Sequence, residues 1–296
     1  MKYKGKELVL DNFRKELNGY SLDVQDVVRS AILDGKDISM YIEQCKNSAY
    51  RLDQIRLGMK EGISSVFFEV RSGELIYRIR QLIDRGKDLS RLEWQIKKGV
   101  VTEENLGTLV SWLEKDYVIS DLDISIIPKS MLGIFDYGLS KGFNMSMFNN
   151  GRVYTSEYVR LCLTLMENSK DPFQFIEGKL WDISVMKALV GYSKSADAEK
   201  WGNLLKFVSA ETPKGKVKQL IRCVNNSMSI KELGKPEWSE GAIDIVLKAL
   251  SEGLDFKSLI SVGPEADAVV VKYNELSLRK TKEHRVGGIL KKSYRG

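Results

Sequence analysis

Ile83-Asp-Arg-Gly86-Lys-Asp88-Leu-Ser-Arg-Leu92 is a phrase the chain repeats. It recurs as Ile32-Leu-Asp-Gly35-Lys-Asp37-Ile-Ser-Met-Tyr41, as Leu139-Ser-Lys-Gly142-Phe-Asn144-Met-Ser-Met-Phe148 and as Leu250-Ser-Glu-Gly253-Leu-Asp255-Phe-Lys-Ser-Leu259. Met59-Lys-Glu-Gly62 is a shorter echo, and degenerate copies centre on Asp116, Ser169, Ser195 and Ser227. With the glycine or its substitute as anchor, the nine anchors are separated by 27, 24, 30, 26, 27, 26, 32 and 26 residues. A fixed period of this length marks a repeat architecture.

Columns around the anchor give the local structure. Three, seven and ten residues before it stand apolar residues in every copy, with Gln25 the single exception. That spacing is the buried stripe of an α-helix. Four before it, Ala31, Gly58, Gly138, Gly191, Cys223 and Ala249 are small, which predicts close approach of a neighbouring helix. Glycine at the anchor suits the left-handed conformation that ends a helix. Two residues later, eight of nine copies carry Asp, Asn or Ser, side chains that accept amides at the start of the next helix; Val118 is the exception. Pro172 follows Asp171, where a first-turn proline is favoured. Six after the anchor, Tyr41, Phe68, Leu92, Leu122, Phe148, Phe175, Trp201, Leu233 and Leu259 are all bulky and apolar. Each repeat therefore reads as a long helix, a tight turn, and a short second helix plugged into the core.

Matched offsets across nine copies predict an all-α chain, an α-solenoid of nine helix-turn-helix repeats of roughly 27 residues, in which each repeat packs on its neighbours. A compact all-α bundle is the alternative. The expected organisation is an N-terminal cap over 1–21, the repeats over 22–264, a closing helix over 265–283 and a flexible basic tail over 284–296. Composition agrees: 43% hydrophobic residues supply a core, and five prolines in 296 residues favour long helices.

The phrase Gln54-Ile-Arg-Leu-Gly58 with Glu61-Gly62, together with Gly253-Leu-Asp255, resembles the short IRxGLxxGLD-type helical repeats of bacterial plasmid and phage proteins. The resemblance covers most of 22–262 and departs where Asp116, Ser169 and Ser195 replace glycine. It implies an interaction scaffold in a mobile-element context and brings no catalytic residues with it.

Several chemistries lack their residues. His284 is the single histidine, which argues against His-based acid/base, triad and most zinc chemistry. Cys45, Cys162 and Cys223 are widely spaced, and Cys162 and Cys223 fall on apolar stripes, as small buried residues in a reducing compartment do. No Gly-rich phosphate loop, GxSxG or EF-hand loop is present. Apolar runs such as Ala268-Val269-Val270-Val271 are too short to span a bilayer, and Met1–Leu10 has no signal core. The expectation is a cytoplasmic, non-enzymatic protein with no cofactor, metal or membrane partner.

Basic groups supply the candidate partner-binding residues. Arg29, Arg56 and Arg80 share the column six before the anchor, either as a stripe for phosphates or acidic protein, or as a solvated row bridging to Asp26, Asp53 or Asp84. Lys214, Lys216 and Lys218 read as a patch in a loop insertion within the longest interval, or as a plain exposed loop. Trp94, Lys97, Lys98 and Trp112 lie near the other long interval, where aromatics beside cations can stack bases, although Trp112 sits on a core position. Arg279, Lys280, Lys282, Arg285, Lys291 and Lys292 crowd the C-terminus, where Gly287-Gly288 is expected to interrupt any helix. Residues 279–296 carry seven basic groups and one acid, and so account for the whole net charge of +6; residues 1–278 balance. A nucleic-acid argument then rests on a tail and two patches. A scaffold for a protein partner comes first, in its narrow form an anti-CRISPR-like inhibitor of a large host defence complex. A nucleic-acid-binding solenoid is the alternative, and a helical-repeat glycosylase using an Asp is a distant third.

Overall fold

The computed structural model describes the backbone of residues 17–99 and 101–293 and the side chains of 17–99 and 101–282. Among them every regular element is helical. The chain divides into two compact halves, Met1–Val153 and Tyr154–Gly296.

In the first half the helices are α1 (Leu22–Leu33), α2 (Ser39–Ile42), α3 (Ala49–Glu61), α4 (Gly73–Asp84), α5 (Ser90–Lys97), α6 (Glu103–Glu114) and α7 (Leu132–Ser140). Short 3-10 turns at Glu43–Cys45, Ser65–Glu69, Ile124–Ile126, Lys129–Met131 and Met145–Phe148 stand between them. The long helices pack in chain order, α1 on α3, α3 on α4, α4 on α6. The second half holds α8 (Ser156–Glu167), α9 (Phe173–Ile176), α10 (Ile183–Ser193), α11 (Ala198–Leu205), α12 (Lys214–Asn225), α13 (Glu240–Ser251), α14 (Phe256–Ser261) and α15 (Ala266–Ser293). Packing again follows chain order, α8 on α10, α10 on α12, α12 on α13, α13 on α15.

Eight of the nine anchors take positive φ, among them the non-glycine residues Asp116, Ser169 and Ser227 at 63°, 56° and 55°. In those eight copies the amide after the anchor donates back to the carbonyl four before it, as Lys87 does to Leu82 and Met228 to Cys223. This is the Schellman closure of a helix C-terminus. Ser195 is the exception: its amide and that of Ala196 both donate to the Tyr192 carbonyl at 3.1 Å, and the helix ends without a left-handed residue. Asp37, Asp88, Asn144, Asp171, Asp197 and Asp255 each accept an amide from the turn that follows, as expected. Ser64 does not cap with its side chain and instead donates to Glu93, and Ser229 leads into turns rather than a helix.

All nine bulky residues six after the anchor are buried, from Phe175 and Leu233 at 0% exposure to Tyr41 and Trp201 at 6%. The long-helix stripe is buried as expected at seven and ten before the anchor in most copies, as at Ile55, Ile79, Ile76 and Val159, and differs at its last position. Three before the anchor, Leu139, Tyr192 and Val224 are buried, whereas Ile32, Met59, Ile83, Leu113, Met166 and Leu250 are half-buried and the residue four before the anchor is buried in their place. The small residues in this column admit the repeat's own second element rather than a neighbouring long helix. A methyl on Gly58 would lie 2.7 Å from the Phe68 ring, and one on Gly138 would collide with Met145. Gly191 is open, so this explanation does not extend to it.

A second column was not anticipated. Eleven before the anchor stand Arg51, Tyr158 and Lys216, all buried. Arg51 donates to the carbonyls of Phe68 (3.2 Å) and Val70 (2.9 Å), Tyr158 to Phe175 (2.5 Å) and Lys216 to Lys235 (2.6 Å). Each ties the long helix to carbonyls six or eight after the anchor, which a short helix or turn leaves without intrahelical donors.

At the C-terminus the helix α15 runs on past 283 and through Gly287 and Gly288, where a break was expected. A glycine pair weakens a helix without forbidding it. The side chains of Arg285, Lys291 and Lys292 lie outside the described residues.

Candidate partner-binding surface

The arginine column is held by internal acids. Arg29 is paired with Asp26 at 2.9 Å on its own helix. Arg56 bridges to Asp34 on α1 and, at 2.8 Å, to Asp53, with its side chain 15% exposed. Arg80 bonds Glu61 through Nε at 2.8 Å and Gln54 through Nη1 at 2.5 Å, and its side chain is 9% exposed. The Asp34 carboxyl sits below its ordinary range because Lys60 and Arg56 bond it. The Glu61 bond, then the field of Glu61 and other acids, raises the Arg80 guanidinium against its burial. Arg56 and Arg80 are therefore staples between successive long helices, not an open stripe. Arg78 with Glu114 (2.6 Å) and Lys115 with Asp136 (2.7 Å) continue the stapling, and Trp112, in the core, donates to Asp136 at 2.9 Å.

The lysine patch also changes character. Lys214, Lys216 and Lys218 are in the first two turns of α12, not in a loop; the extra residues of the long interval go to α11 and to 206–213. Lys216 is buried, and desolvation lowers its ammonium pKa. Lys214 and Lys218 remain exposed. A recess of about 680 Å³ lies beside them, lined by Lys206, Phe207, Lys235, Trp238 and Glu240 among others. The Glu240 carboxylate packs directly against Gly215, and Phe207 against Gly234.

Of the C-terminal cations, Arg279 pairs with Glu275 within α15, and Lys280 donates to the Glu252 carbonyl at the end of α13. A cation there complements the helix dipole. Lys282 is exposed on the same helix.

The departure from the repeat lies elsewhere. Val118 occupies the cap position without a side chain that can cap, and residues 117–123 are irregular, with a turn at 120–121, where a second helix was expected. This stretch and α5, a second helix of 8 residues, border a recess of about 450 Å³. Its lining includes Asp88, Arg91, Trp94, Leu113, Tyr117 and Val118. Val118 is 81% exposed, and Trp94, at 36%, is the most exposed of the five tryptophans.

The Arg91 guanidinium lies 4.0 Å and the Lys98 ammonium 3.9 Å from the Trp94 ring centroid. Residues three before and four after Trp94 reach it from opposite ends of the helix face. Arg91 is held in place by donating Nε to the Leu122 carbonyl at 2.9 Å. Among the described residues neither Arg91 nor Lys98 has a carboxylate partner, in contrast to Arg56, Arg78 and Arg80. Lys97 pairs with Glu93 at 2.8 Å. Asp88, the one carboxylate in the lining, accepts the Ser90 amide at 2.9 Å, and this bond holds its pKa below the usual value.

Trp94 and Lys98 were legible as an aromatic-basic pair; Arg91, Tyr117 and Val118 were not identified. The break in the cap column at Val118 was the available signal.

The three cysteines are free and buried; burial pushes the thiols of Cys162 and Cys223 up to about 12, which makes them poor nucleophiles. Among the described residues no group of three or more His, Cys, Asp or Glu side chains is placed to hold a metal ion, and no helix is long and apolar enough to cross a membrane. Comparison with known proteins found no matching family model, curated protein or solved structure.

Proposed function

We propose that the chain is a helical-repeat scaffold of the α-solenoid type, built from nine repeats, that binds a protein partner and acts by binding rather than by catalysis. One observation carries the reading. Most recurring positions are consumed by the fold, as core, caps or helix-to-helix staples, while the lapse of the repeat at Val118 presents Trp94, Val118, Arg91 and Lys98 together. Tryptophan and arginine at a partly desolvated recess are the residue types that dominate protein–protein binding energy. The solenoid reading draws support from the chain-ordered packing of long helices inside each half.

Nucleic-acid binding through the arginine column and the lysine patch loses ground, since Arg56, Arg80 and Lys216 are committed internally. The narrower form, a mobile-element product that blocks a host defence complex, rests on the resemblance of the Gln54–Gly62 and Gly253–Asp255 phrases to such repeats.

The test is affinity capture from a bacterial lysate with the full chain and with Val118→Asp, followed by mass spectrometry and quantification of co-purified nucleic acid. The reading expects a discrete protein retained by the wild type and lost from the variant. Retention of nucleic acid alone, declining steeply with salt, would replace it with the alternative.

A further inference from the structure

We propose that the Trp94 recess takes an acidic protein segment carrying an aliphatic side chain, with its carboxylates on Arg91 and Lys98 and its aliphatic group against Val118. This names the partner chemistry of the site and rests on the scaffold reading above.

Charge complementarity selects the carboxylate. Arg91 and Lys98 converge on one ring and have no acid partner among the described residues, in a chain whose other arginines at helix-to-helix contacts are paired. Two like charges held close to each other repel, and an incoming carboxylate relieves that repulsion while keeping each cation on the ring. Arg91 arrives with its guanidinium already oriented by the Leu122 carbonyl, which lowers the ordering cost of a two-point contact. Asp88, the carboxylate in the lining, accepts the Ser90 amide and forms no ion pair with either cation among the described residues.

The state of the ring decides between protein and nucleic acid. Base stacking needs an open π face. Two cations lie within 4.0 Å of the Trp94 centroid, so a stacking nucleobase competes with Arg91 and Lys98 for the ring. Beside the ring stands an exposed aliphatic neighbour, Val118, at 81% exposure. An aliphatic side chain fits that surface and a flat base does not. The recess, about 450 Å³, is within the usual range for a pocket that receives a few side chains.

Trp94 reports on its own site, because Trp112, Trp181, Trp201 and Trp238 are all at most 8% exposed. The full chain is titrated, with tryptophan emission as readout, against an acetylated peptide alternating glutamate and leucine, the corresponding lysine–leucine peptide, and an oligothymidylate. The expected result is a saturable response to the glutamate–leucine peptide alone, weakening with salt. Lys98→Glu, a change at an exposed side chain, is expected to weaken it about tenfold or more, and Lys98→Arg to restore it. Val118→Ser is a second variant, expected to weaken binding by removing the aliphatic surface without adding a charge beside either cation. A saturable response to oligothymidylate, equal binding of the lysine–leucine peptide, or no saturation by the acidic peptide at millimolar concentration each overturns the proposal. If the acidic peptide fails while lysate capture still retains a protein, the scaffold reading stands and the recess assignment falls.

Discussion

Replacing serine by glycine at matched positions should change stability in opposite directions within this one chain. Ser169 and Ser227 close their helices at φ of 56° and 55°, a region that costs an L-residue about 1–2 kcal/mol. Glycine removes that cost but adds about 0.5–1 kcal/mol of backbone entropy on folding. The net expectation is stabilisation of about 0.5–1 kcal/mol for Ser169→Gly and for Ser227→Gly, and roughly the sum for the double variant, since the sites share no contact. Both side chains are exposed. Ser195 occupies the equivalent sequence position with no positive φ, and its hydroxyl donates to the Tyr192 carbonyl at 3.2 Å. Ser195→Gly loses that bond and gains only the entropy cost, so it should destabilise by roughly 1 kcal/mol. Urea unfolding followed by circular dichroism reads all four variants against the wild type. Stabilisation at Ser195 equal to that at Ser169, or destabilisation at both Ser169 and Ser227, would refute the assignment of these residues to a left-handed helix stop.

Five further substitutions probe the packing and the ion pairs. Gly138→Ala drives a methyl into Met145 and should cost about 1–3 kcal/mol, whereas Gly191→Ala, with nothing within 4 Å, should gain up to about 1 kcal/mol from helix propensity; thermal melts compare them. Arg51→Met strips the donors from three carbonyls, those of Gln44, Phe68 and Val70, and should cost about 2–4 kcal/mol in urea, against roughly 0.5 kcal/mol for exposed Lys194→Met. The Arg78 bond, opposed by partial burial, holds the Glu114 carboxyl below 4.5, so the pair stabilises the fold above that pH and stops doing so as pH falls through the depressed value. Glu114→Gln should therefore cost about 1 kcal/mol at pH 7 and progressively less as pH falls below 4.5; a cost that does not change with pH would show that the ion pair contributes nothing.

The turn and cap chemistry was legible residue by residue. Glycine or its substitute at the anchor, Asp or Asn two later and a bulky apolar residue six later act through bonds a few residues long, and the structure agrees with them almost throughout. The register of the buried stripe was less legible. Positions three and four before the anchor both fit the helix period beside those seven and ten before it, and only the packing selects which of the two is buried in each copy. The site was harder still. Arg56, Arg80 and Lys216 are cations in the sequence, yet each meets an acid or a carbonyl 19 or more residues away in the chain, and a linear reading does not show that distance closing.

The sequence by itself determined an all-helical chain, where its helices stop, and which side chains plug its core, because caps, left-handed turns and helical periodicity are local physics. The tertiary structure alone decided which charges are committed and which are available. An arginine's fate depends on what packs against it, and that is fixed by the neighbouring helix. Arg80 and Arg91 look alike in the sequence; Arg80 is held by Glu61 and Gln54, and Arg91 stands over Trp94 with no carboxylate among the described residues to receive it.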